Sequence, residues 1–524
     1  MTKRTTTYQQ IPWLGGRNSS LDPSLIPRDQ LVIADNVLFA IDGARRKRPG
    51  FQYFDSNAIS ATAKIVGLAD YYANVTNVKV QRIVAVTDVP SIYSYTSSGV
   101  RTELTQAGGA SALIAGFTQV VFETINNDLV IAFNNATTPK KWNNQTGTEW
   151  EDLGGTPPAF SMCRTHINRL FAAGVASNPD RLYYSSTDNH EEWNGLGDSG
   201  AIDLPIGDND PEGITAIFPT GKGVLFVAKR TKLYRIDTSD PNDANWTIDT
   251  VSNGIGCIAH NCVVAIDQDD IFFASERGVH SLAATDKFGD FDATFLSAPI
   301  QRDWNKFNKS RLKEMWGAYI PEKNSYALAL SEEGWNTNNH IHLYNVLLKQ
   351  WYRWPMVNCQ SLLAAKIGGT TTLLAGRSDG RVSDLDNAEF NDFGSAIKCQ
   401  VKTGSIYPDG SPVTVKGFKK LSLFYKPKGD YTLTARFKID NYATQELSFD
   451  LSGDFEALGT EFVLGSSVLG FNLALPAVTQ SVDGYGHGFS LEIVQDGLDE
   501  DVEVYGFAVE YEMAGDDQES PELS

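Results

Sequence analysis

The chain has 524 residues, and 44 Lys and Arg stand against 64 Asp and Glu, so its formal net charge is −20. This length excludes one small module, and 42% hydrophobic with 21% charged residues excludes a disordered chain. The acidic balance argues against a dedicated nucleic-acid grip, because such a grip neutralises phosphates with clustered Lys and Arg. The five cysteines include no C-x-x-C pair, which argues against a disulfide scaffold or a zinc site.

The N-terminus shows no secretory signal. Met1–Thr7 is followed by Tyr8-Gln9-Gln10 and not by an apolar run, so the protein is expected to stay in the cytosol where it is made. A bilayer-spanning helix needs about 20 apolar residues. The nearest stretch, Phe462–Val478, is broken by glycine, serine, asparagine and proline. It predicts two strands joined by a turn, with a membrane-touching loop as the alternative.

Residues 1–60 are predicted to form a unit of their own. Asp35–Leu38 begins a strand-like run, and Asp42-Gly43 gives a hairpin turn. The basic cluster Arg45–Arg48 follows, and Pro49-Gly50 ends it with a second turn. The cluster is interpreted as solvated turn charges or as ion pairs to an acidic neighbouring subunit. DNA contact is the alternative, although the cluster lacks interleaved aromatic residues.

Hydrophobic residues alternate with a period of two far more often than with a helical period, so the fold class is mainly β. The two best helix candidates are short. They lie at Leu25–Val37 and Gln301–Glu314.

One apolar strand recurs seven times at intervals of about 40 to 55 residues, with alanine or glycine in its fourth or fifth place each time. The seven copies are Arg82–Thr87, Leu129–Asn134, Leu170–Val175, Val224–Lys229, Ile271–Glu276, Tyr326–Ser331 and Leu373–Ser378. A turn and a second strand follow most copies. This spacing is that of a four-stranded propeller blade, so residues 61–390 are predicted to form a β-propeller of six or seven blades. The repeated strands are expected to be the innermost, and unrelated sandwich modules are the alternative.

After Asp386 the strands become longer and alternate evenly. Residues 391–512 are therefore predicted to form a C-terminal antiparallel β-sandwich. Residues 513–524 are acidic and polar, and a flexible tail is expected there.

Several short motifs resemble the proteins that build the tail tube and nozzle of short-tailed phages, the tail tubular protein B-like family. They are Gly15-Gly16, Asp22-Pro23, Ile26-Pro27, Ala34 with Asn36, Arg48-Pro49-Gly50, Asn168–Gly174 with Pro179–Ser185, Gly254–Val279 and Tyr344–Trp351. The resemblance implies a structural virion protein in the phage tail, assembled in the bacterial host cytoplasm. It also implies a homohexameric tail nozzle or hub ring below the portal and adaptor complex, with a central channel for genome exit.

The expected partners are further copies of the chain, the head-to-tail adaptor protein, and tail fibre, spike or needle proteins. Passing double-stranded DNA is expected to make transient, non-specific contacts only. An acidic lumen is the hypothesis, because tight phosphate binding would stall movement. The candidate assembly and docking residues are Gly15, Gly16, Asn36, Arg48, Pro49 and Gly50.

No catalytic, metal or cofactor site is predicted. Ser186–Trp193 resembles the Asp-box of sialidase propellers, with His190 in place of glycine, but that box is a structural turn. The pair His340 and His342 is interpreted as a surface or blade-edge pair, because no third ligand is near in sequence. The protein is therefore predicted not to be an enzyme. The alternative is a carbohydrate-binding or glycoside-cleaving propeller, a receptor-binding tail component.

Overall fold

The computed structural model contains two compact units. The propeller unit comprises Gln52–Leu343 with Met356–Asp386. The sandwich unit comprises Met1–Phe51, Tyr344–Pro355 and Asn387–Ser524. The structure describes residues 5–10, 15–60, 62–144, 147–219, 223–266, 270–283, 295–440, 442–452 and 477–513. Most of the stretch Phe462–Val478 and of the predicted tail 513–524 lies outside these residues.

Strands dominate both units. Those before the blades are β1 (Thr5–Gln10), β2 (Gly16–Arg17), β3 (Gln30–Asp35), β4 (Val37–Phe39), β5 (Arg45–Lys47) and β6 (Gly50–Tyr53). Blade 1 contains β7 (Ile65–Val75), β8 (Val78–Thr87), β9 (Ser91–Tyr95) and β10 (Arg101–Gln106). Blade 2 contains β11 (Val120–Ile125), β12 (Asp128–Phe133), β13 (Lys140–Trp142) and β14 (Glu149–Asp152). Blade 3 contains β15 (Met162–His166), β16 (Arg169–Ala173), β17 (Arg181–Tyr184) and β18 (Gly200–Asp203).

The remaining blades follow in chain order. Blade 4 contains β19 (Ala216–Pro219), β20 (Val224–Ala228), β21 (Lys232–Asp237) and β22 (Thr247–Asn253). Blade 5 contains β23 (Val264–Ala265), β24 (Ile271–Ala274) and β25 (Val279–Ser281). Blade 6 contains β26 (Trp316–Ile320), β27 (Ser325–Leu330) and β28 (His340–Asn345), and the chain continues into β29 (Gln350–Pro355). Blade 7 contains β30 (Ser361–Ile367), β31 (Thr370–Gly376) and β32 (Val382–Asn387).

The last strands belong to the sandwich unit, and helices are short. The strands are β33 (Asn391–Asp392), β34 (Ser395–Ala396), β35 (Cys399–Thr403), β36 (Lys416–Tyr425), β37 (Thr432–Ile439), β38 (Gln445–Asp450), β39 (Ala477–Gly486), β40 (Phe489–Gln495) and β41 (Glu503–Met513). The helices that lie wholly within the described residues are α1 (Gln301–Trp304) and the 3₁₀ helices Asp243–Asn245, His260–Cys262, Ala298–Ile300, Lys309–Glu314 and Pro321–Lys323.

The propeller unit is a seven-bladed β-propeller in the part of the chain that the structure describes, which confirms the predicted fold class. Within each blade the strands follow chain order across the sheet. The first strands of successive blades lie side by side at β7 and β11, β11 and β15, β15 and β19, β23 and β26, and β26 and β30. Strand β30 also lies beside β7, so the ring closes. The first strands therefore surround the axis.

The seven repeated apolar strands are the second strands of the blades, so the prediction that they are innermost is wrong. Blade 1 shows why the second strand is uninterruptedly apolar. Val84 and Val86 pack into the core shared with blade 2, while Ile83 and Ala85 pack into the core shared with blade 7. A strand buried on both faces has no polar face to alternate with. The first strands border the axial space, and several carry polar residues there, such as Asp70 in β7 and Glu123 in β11.

The segment that precedes blade 1 pairs with the last strand of blade 7. Hydrogen bonds between the two close the ring. Phe54 N donates a hydrogen bond to Val382 O at 2.9 Å. Gln52 Nε2 donates to Asp384 Oδ2 at 3.3 Å. This closure covers an edge strand of blade 7 that would otherwise be open to pairing with another chain.

The two predicted helices have different outcomes. Gln301–Glu314 contains α1 and the 3₁₀ helix Lys309–Glu314. The prediction at Leu25–Val37 is wrong, because this stretch contains strand β3. Strand pairing on both sides of β3 outweighs its weak helical periodicity.

The sandwich unit contains two sheets, so the predicted C-terminal β-sandwich is confirmed. One sheet has the order β39-β36-β41-β5-β4, with β1 paired to β41. The other has the order β29-β3-β35-β40-β37-β38, with β2 paired to β3. Phe489 lies between the sheets, with ring centroids 5.6 Å from Phe418 and 6.1 Å from Phe507.

The N-terminal strands β1 to β5 belong to this sandwich. The division that set residues 1–60 apart therefore differs from the structure. Local sequence cannot reveal this, because β3 pairs with β35 more than 360 residues later.

Candidate functional site

Arg48 is the centre of a buried joint in the sandwich unit. Its guanidinium forms a two-point ion pair with Asp392, with Nη1–Oδ1 at 2.8 Å and Nη2–Oδ2 at 2.5 Å. Its Nε donates to Asn36 Oδ1 at 2.8 Å, and its Nη1 donates to Pro49 O at 2.9 Å. The guanidinium also lies 3.7 Å from the ring centroid of Phe51. Burial lowers the pKa of Arg48, and Asp392 opposes that shift.

Asn36 and Gly50 fit this joint for geometric reasons. Asn36 has a positive φ of 56°, a region where asparagine is among the tolerated residues. Its Nδ2 donates to Lys398 O at 2.9 Å. Gly50 N donates to Glu389 O at 2.7 Å, and a Cβ at residue 50 would lie 2.0 Å from Asn391 O. Only glycine allows this approach.

Gly15 and Gly16 lie elsewhere in the sandwich unit, at the start of β2. Gly16 has a φ of +69°, and a Cβ there would lie 2.8 Å from Gln350 Cβ. Gly15 N donates to Asp29 O at 2.9 Å. Of the six candidate docking residues, the structure therefore brings together Asn36, Arg48, Pro49 and Gly50 and keeps the two glycines apart from them.

The basic cluster is not a solvated turn, so that interpretation is wrong. Arg45–Lys47 forms strand β5, which pairs with β4 and β41. Arg45, Lys47 and Arg48 are at most 2% exposed. Arg46 is partly exposed and pairs with Asp42 at 2.6 Å. The side chains of residues 45 and 47 point to the buried side of the strand. The sequence prediction missed this burial because it considered the number of charges and not their alternation along a strand.

The propeller unit has a cavity of about 580 Å³ along its axis. Its charged lining residues are Asp70, Glu123 and Arg164, and Trp316 and Tyr319 supply aromatic surface. Arg164 Nη1 lies 3.2 Å from Glu123 Oε2. Burial raises the pKa of Asp70. The volume and the mixture of apolar walls with few polar groups suit a small molecule.

The 3₁₀ helix Lys309–Glu314 lies across the axis at the face where the first strands begin. Gln119, just before blade 2, donates through Nε2 to Lys313 O. Glu212, just before blade 4, lies 3.0 Å from Lys313 Nζ. Arg311 and Glu314 line a cavity of about 230 Å³ together with residues that precede blades 1 and 7. A six-residue segment that reaches blades on opposite sides of the ring covers its axis.

The Asp-box-like segment is a structural turn. Trp193 is buried, and its Nε1 donates to His190 O at 2.9 Å. His190 Nε2 lies 3.0 Å from Asp128 Oδ2 on blade 2, so the histidine that replaces glycine links two blades.

The other motifs give no metal or membrane element in the described part of the chain. His340 and His342 are 4% and 1% exposed, so the surface interpretation of this pair is wrong. No group of three His, Cys, Asp or Glu among the described residues forms a metal site. No described helix has the length and apolar character needed to cross a bilayer.

Comparison with known proteins identifies no family for this chain. No family model matches the chain, and no curated protein matches it. Among solved structures, the WD40 β-propeller domain of Doa1 is 8% identical, with a TM-score of 0.42, over 64% of this chain and 96% of that one. The N-terminal domain of Nup159 is 9% identical, with a TM-score of 0.38, over 67% and 98%. These scores are low, and the strand order itself establishes the propeller.

Proposed function

We propose that this chain is a non-enzymatic structural subunit of a phage tail nozzle or hub. In this proposal six copies form a ring below the portal and adaptor complex, and DNA leaves through the opening between the copies. The observation that carries the proposal is the Arg48 joint. Arg48 contacts Asn36, Pro49 O and Asp392, and Gly50 lies against Asn391, so four of the motif residues on which the family resemblance rests form one cluster. This shared structural role of the motif residues is what supports the proposal.

The covered propeller axis supports a channel between copies. Lys309–Glu314 crosses the axis, and the axial cavity of about 580 Å³ has the size of a small-molecule pocket. A DNA duplex would need a passage formed by several chains. Six copies would carry a charge of about −120, which would keep phosphates away from an acidic wall.

Mass photometry of the full chain, alone and with the virus's head-to-tail adaptor protein, tests the proposal. We expect particles of about six times 57.4 kDa, and electron microscopy should show rings with a central opening. A chain that stays monomeric with and without the adaptor would contradict it.

The carbohydrate alternative has one observation in its favour, the axial cavity with its carboxylates Asp70 and Glu123 and the aromatic residues Trp316 and Tyr319. A glycan array and a hydrolysis panel test it. Glycan binding or cleavage by a monomeric chain, abolished in Glu123→Gln, would favour the alternative over the ring. The absence of both signals would remove it.

A further inference from the structure

The connection between blade 4 and blade 5 brings two cysteine thiols into contact. Cys257 lies just before the 3₁₀ helix His260–Cys262, and Cys262 is the last residue of that helix. Their Sγ atoms are 3.9 Å apart, and both side chains are fully buried. At this distance the two sulfur atoms are in contact, so no other group separates them.

Both thiols donate to the same hydrogen-bond acceptor. Ala259 O lies 3.3 Å from Cys257 Sγ and 2.9 Å from Cys262 Sγ. The backbone N–H of Cys262 also donates to Ala259 O, at 3.3 Å. Loss of both S–H groups would therefore leave this carbonyl with a donor, and an unsatisfied buried carbonyl is what makes such a loss costly. Ala274 N donates to Cys262 Sγ at 3.3 Å, and a bonded sulfur remains a weak acceptor.

The connection that carries the two cysteines also joins blades through its polar side chains. His260 Nδ1 accepts a hydrogen bond from Ile217 N of blade 4 at 3.3 Å. Asn261 Nδ2 donates to Val120 O, in the first strand of blade 2, at 3.3 Å. His260 and Asn261 lie between the two cysteines in sequence. A bond between the sulfur atoms would therefore close a short loop that contains both contacts.

We propose that Cys257 and Cys262 form a reversible disulfide under oxidising conditions, and that this bridge fixes the connection between blades 4 and 5. Hydrogen peroxide is a sufficient oxidant. The two thiols lose two protons and two electrons, the S–S bond forms, and one peroxide molecule becomes two molecules of water. To reach an S–S bond of about 2.0 Å the sulfur atoms approach by roughly 1.9 Å, which rotation about the two Cα–Cβ bonds supplies. This inference is independent of the proposed function.

Burial makes the oxidation slow. It raises the pKa of Cys257 well above that of a free thiol, because a thiolate without water around it is costly. The thiolate is the reactive form, so oxidation has to wait for a transient opening of the connection. The pair therefore responds more slowly than an exposed thiol.

Mass spectrometry of the folded full chain tests the proposal. Trypsin cuts after Arg235 and Arg277, and the peptide 236–277 contains both cysteines of the pair and no other cysteine. The chain is treated with hydrogen peroxide under native conditions, alkylated in denaturant and digested without reduction. We expect the peptide 236–277 to escape alkylation and to be lighter than its reduced form by two hydrogen atoms. Dithiothreitol added before alkylation should restore the doubly alkylated peptide.

Calorimetry measures whether the bridge fixes the connection. The propeller transition of the oxidised chain should lie about 2–3 °C above that of the reduced chain, because a disulfide restricts the unfolded chain. Cys262→Ser should lose this rise. Cys359→Ser is the matched control and should keep it, because Cys359 is a buried cysteine of the same unit with no cysteine at hydrogen-bonding distance in the described part of the chain.

A peptide 236–277 that stays fully alkylated after peroxide treatment would overturn the proposal, as would disulfides that join Cys257 or Cys262 to other cysteines. A bridge that forms but leaves the Tm unchanged would overturn its stabilising role. If Cys262→Ser does not fold, the wild-type chain gives the answer, because its oxidised and reduced forms are compared directly.

Discussion

At the scale of single residues, the sandwich unit depends on buried cations whose partners are distant in sequence. Arg48 meets Asp392, which lies 344 residues further along the chain. Arg353 meets Asp35 in the same way, with Nε–Oδ1 at 2.7 Å. Because Arg48 stabilises the sandwich unit itself, charge reversal at Arg48 would disturb the fold of this unit. The variant therefore cannot test adaptor docking alone. Docking has to be probed at exposed residues.

Removing the Arg48 guanidinium should destabilise the sandwich unit strongly. Arg48→Met leaves Asp392 and Asn36 Oδ1 without their partner, and losing one member of a buried pair costs about 3–5 kcal/mol. Calorimetry of the full chain should show a lower unfolding temperature. The surface variant Arg436→Met should lower the unfolding temperature much less, because exposed ion pairs contribute little to stability. Equal losses in the two variants would show that burial of the Arg48 pair does not matter.

His280 should make the propeller unit sensitive to acid. It is buried, its Nε2 lies 2.7 Å from Ser275 Oγ, and burial with nearby Arg277 lowers its pKa to about 4. The unfolded chain, with a histidine pKa of about 6.5, binds the proton first. The contribution of His280 to the free energy of unfolding is therefore complete above about pH 6.5. It is lost as the pH falls towards 4, by up to about 1.4 kcal/mol per unit.

Urea unfolding across this pH range measures the effect. His280→Asn should flatten the dependence on pH, since asparagine does not titrate. Burial also lowers the pKa of His260, so a smaller slope of the same sign should remain in that variant. The control is His487→Asn in the sandwich unit, which should leave the propeller transition unchanged. An identical slope in His280→Asn and wild type would contradict the prediction.

At the scale of elements, the closure of blade 7 depends on the residues just before blade 1. Phe54→Pro removes the N–H that donates to Val382 O. We expect a loss of about 3 kcal/mol in propeller stability. Gly108→Pro is the matched control, because it occupies the second position of a turn closed by Ala110 N and Ala107 O, where Gly109 has a φ of 92°. Comparable losses in both variants would argue against a role for this closure.

The propeller could be predicted from the spacing of the repeat. The second strand of each blade is packed on both faces, as Val84 and Ala85 are in blade 1, and this burial produces an uninterrupted apolar run. The position of these strands in the blade was mispredicted for the same reason. First strands such as β7 carry a polar residue at Asp70, and this weakens their signal. Partners such as Asp392 could not be predicted, since no local pattern links two segments that are hundreds of residues apart.

At the scale of the whole molecule, the net charge of −20 sets the long-range force between copies of the chain. Like-charged chains repel one another at long range, and salt screens this repulsion over about 10 Å at 0.1 M. If the proposed ring forms, its assembly should be favoured by moderate salt.

Mass photometry at about 20 mM and about 300 mM sodium gluconate should show more ring at the higher concentration. A ring population that falls as salt is added would instead indicate that subunits are joined mainly by opposite charges at their interface.

The sandwich unit draws its strands from the beginning, the middle and the end of the chain, and this has a consequence during protein synthesis. At roughly 5–20 residues per second, a ribosome takes roughly 20–70 s to travel from Arg48 to Asp392. During that interval the early strands β3 and β5 have left the exit tunnel while β35 and β41 do not yet exist. Neighbouring nascent chains can pair through these open strand edges, so we expect chaperones that cover the edges to raise the yield of folded protein.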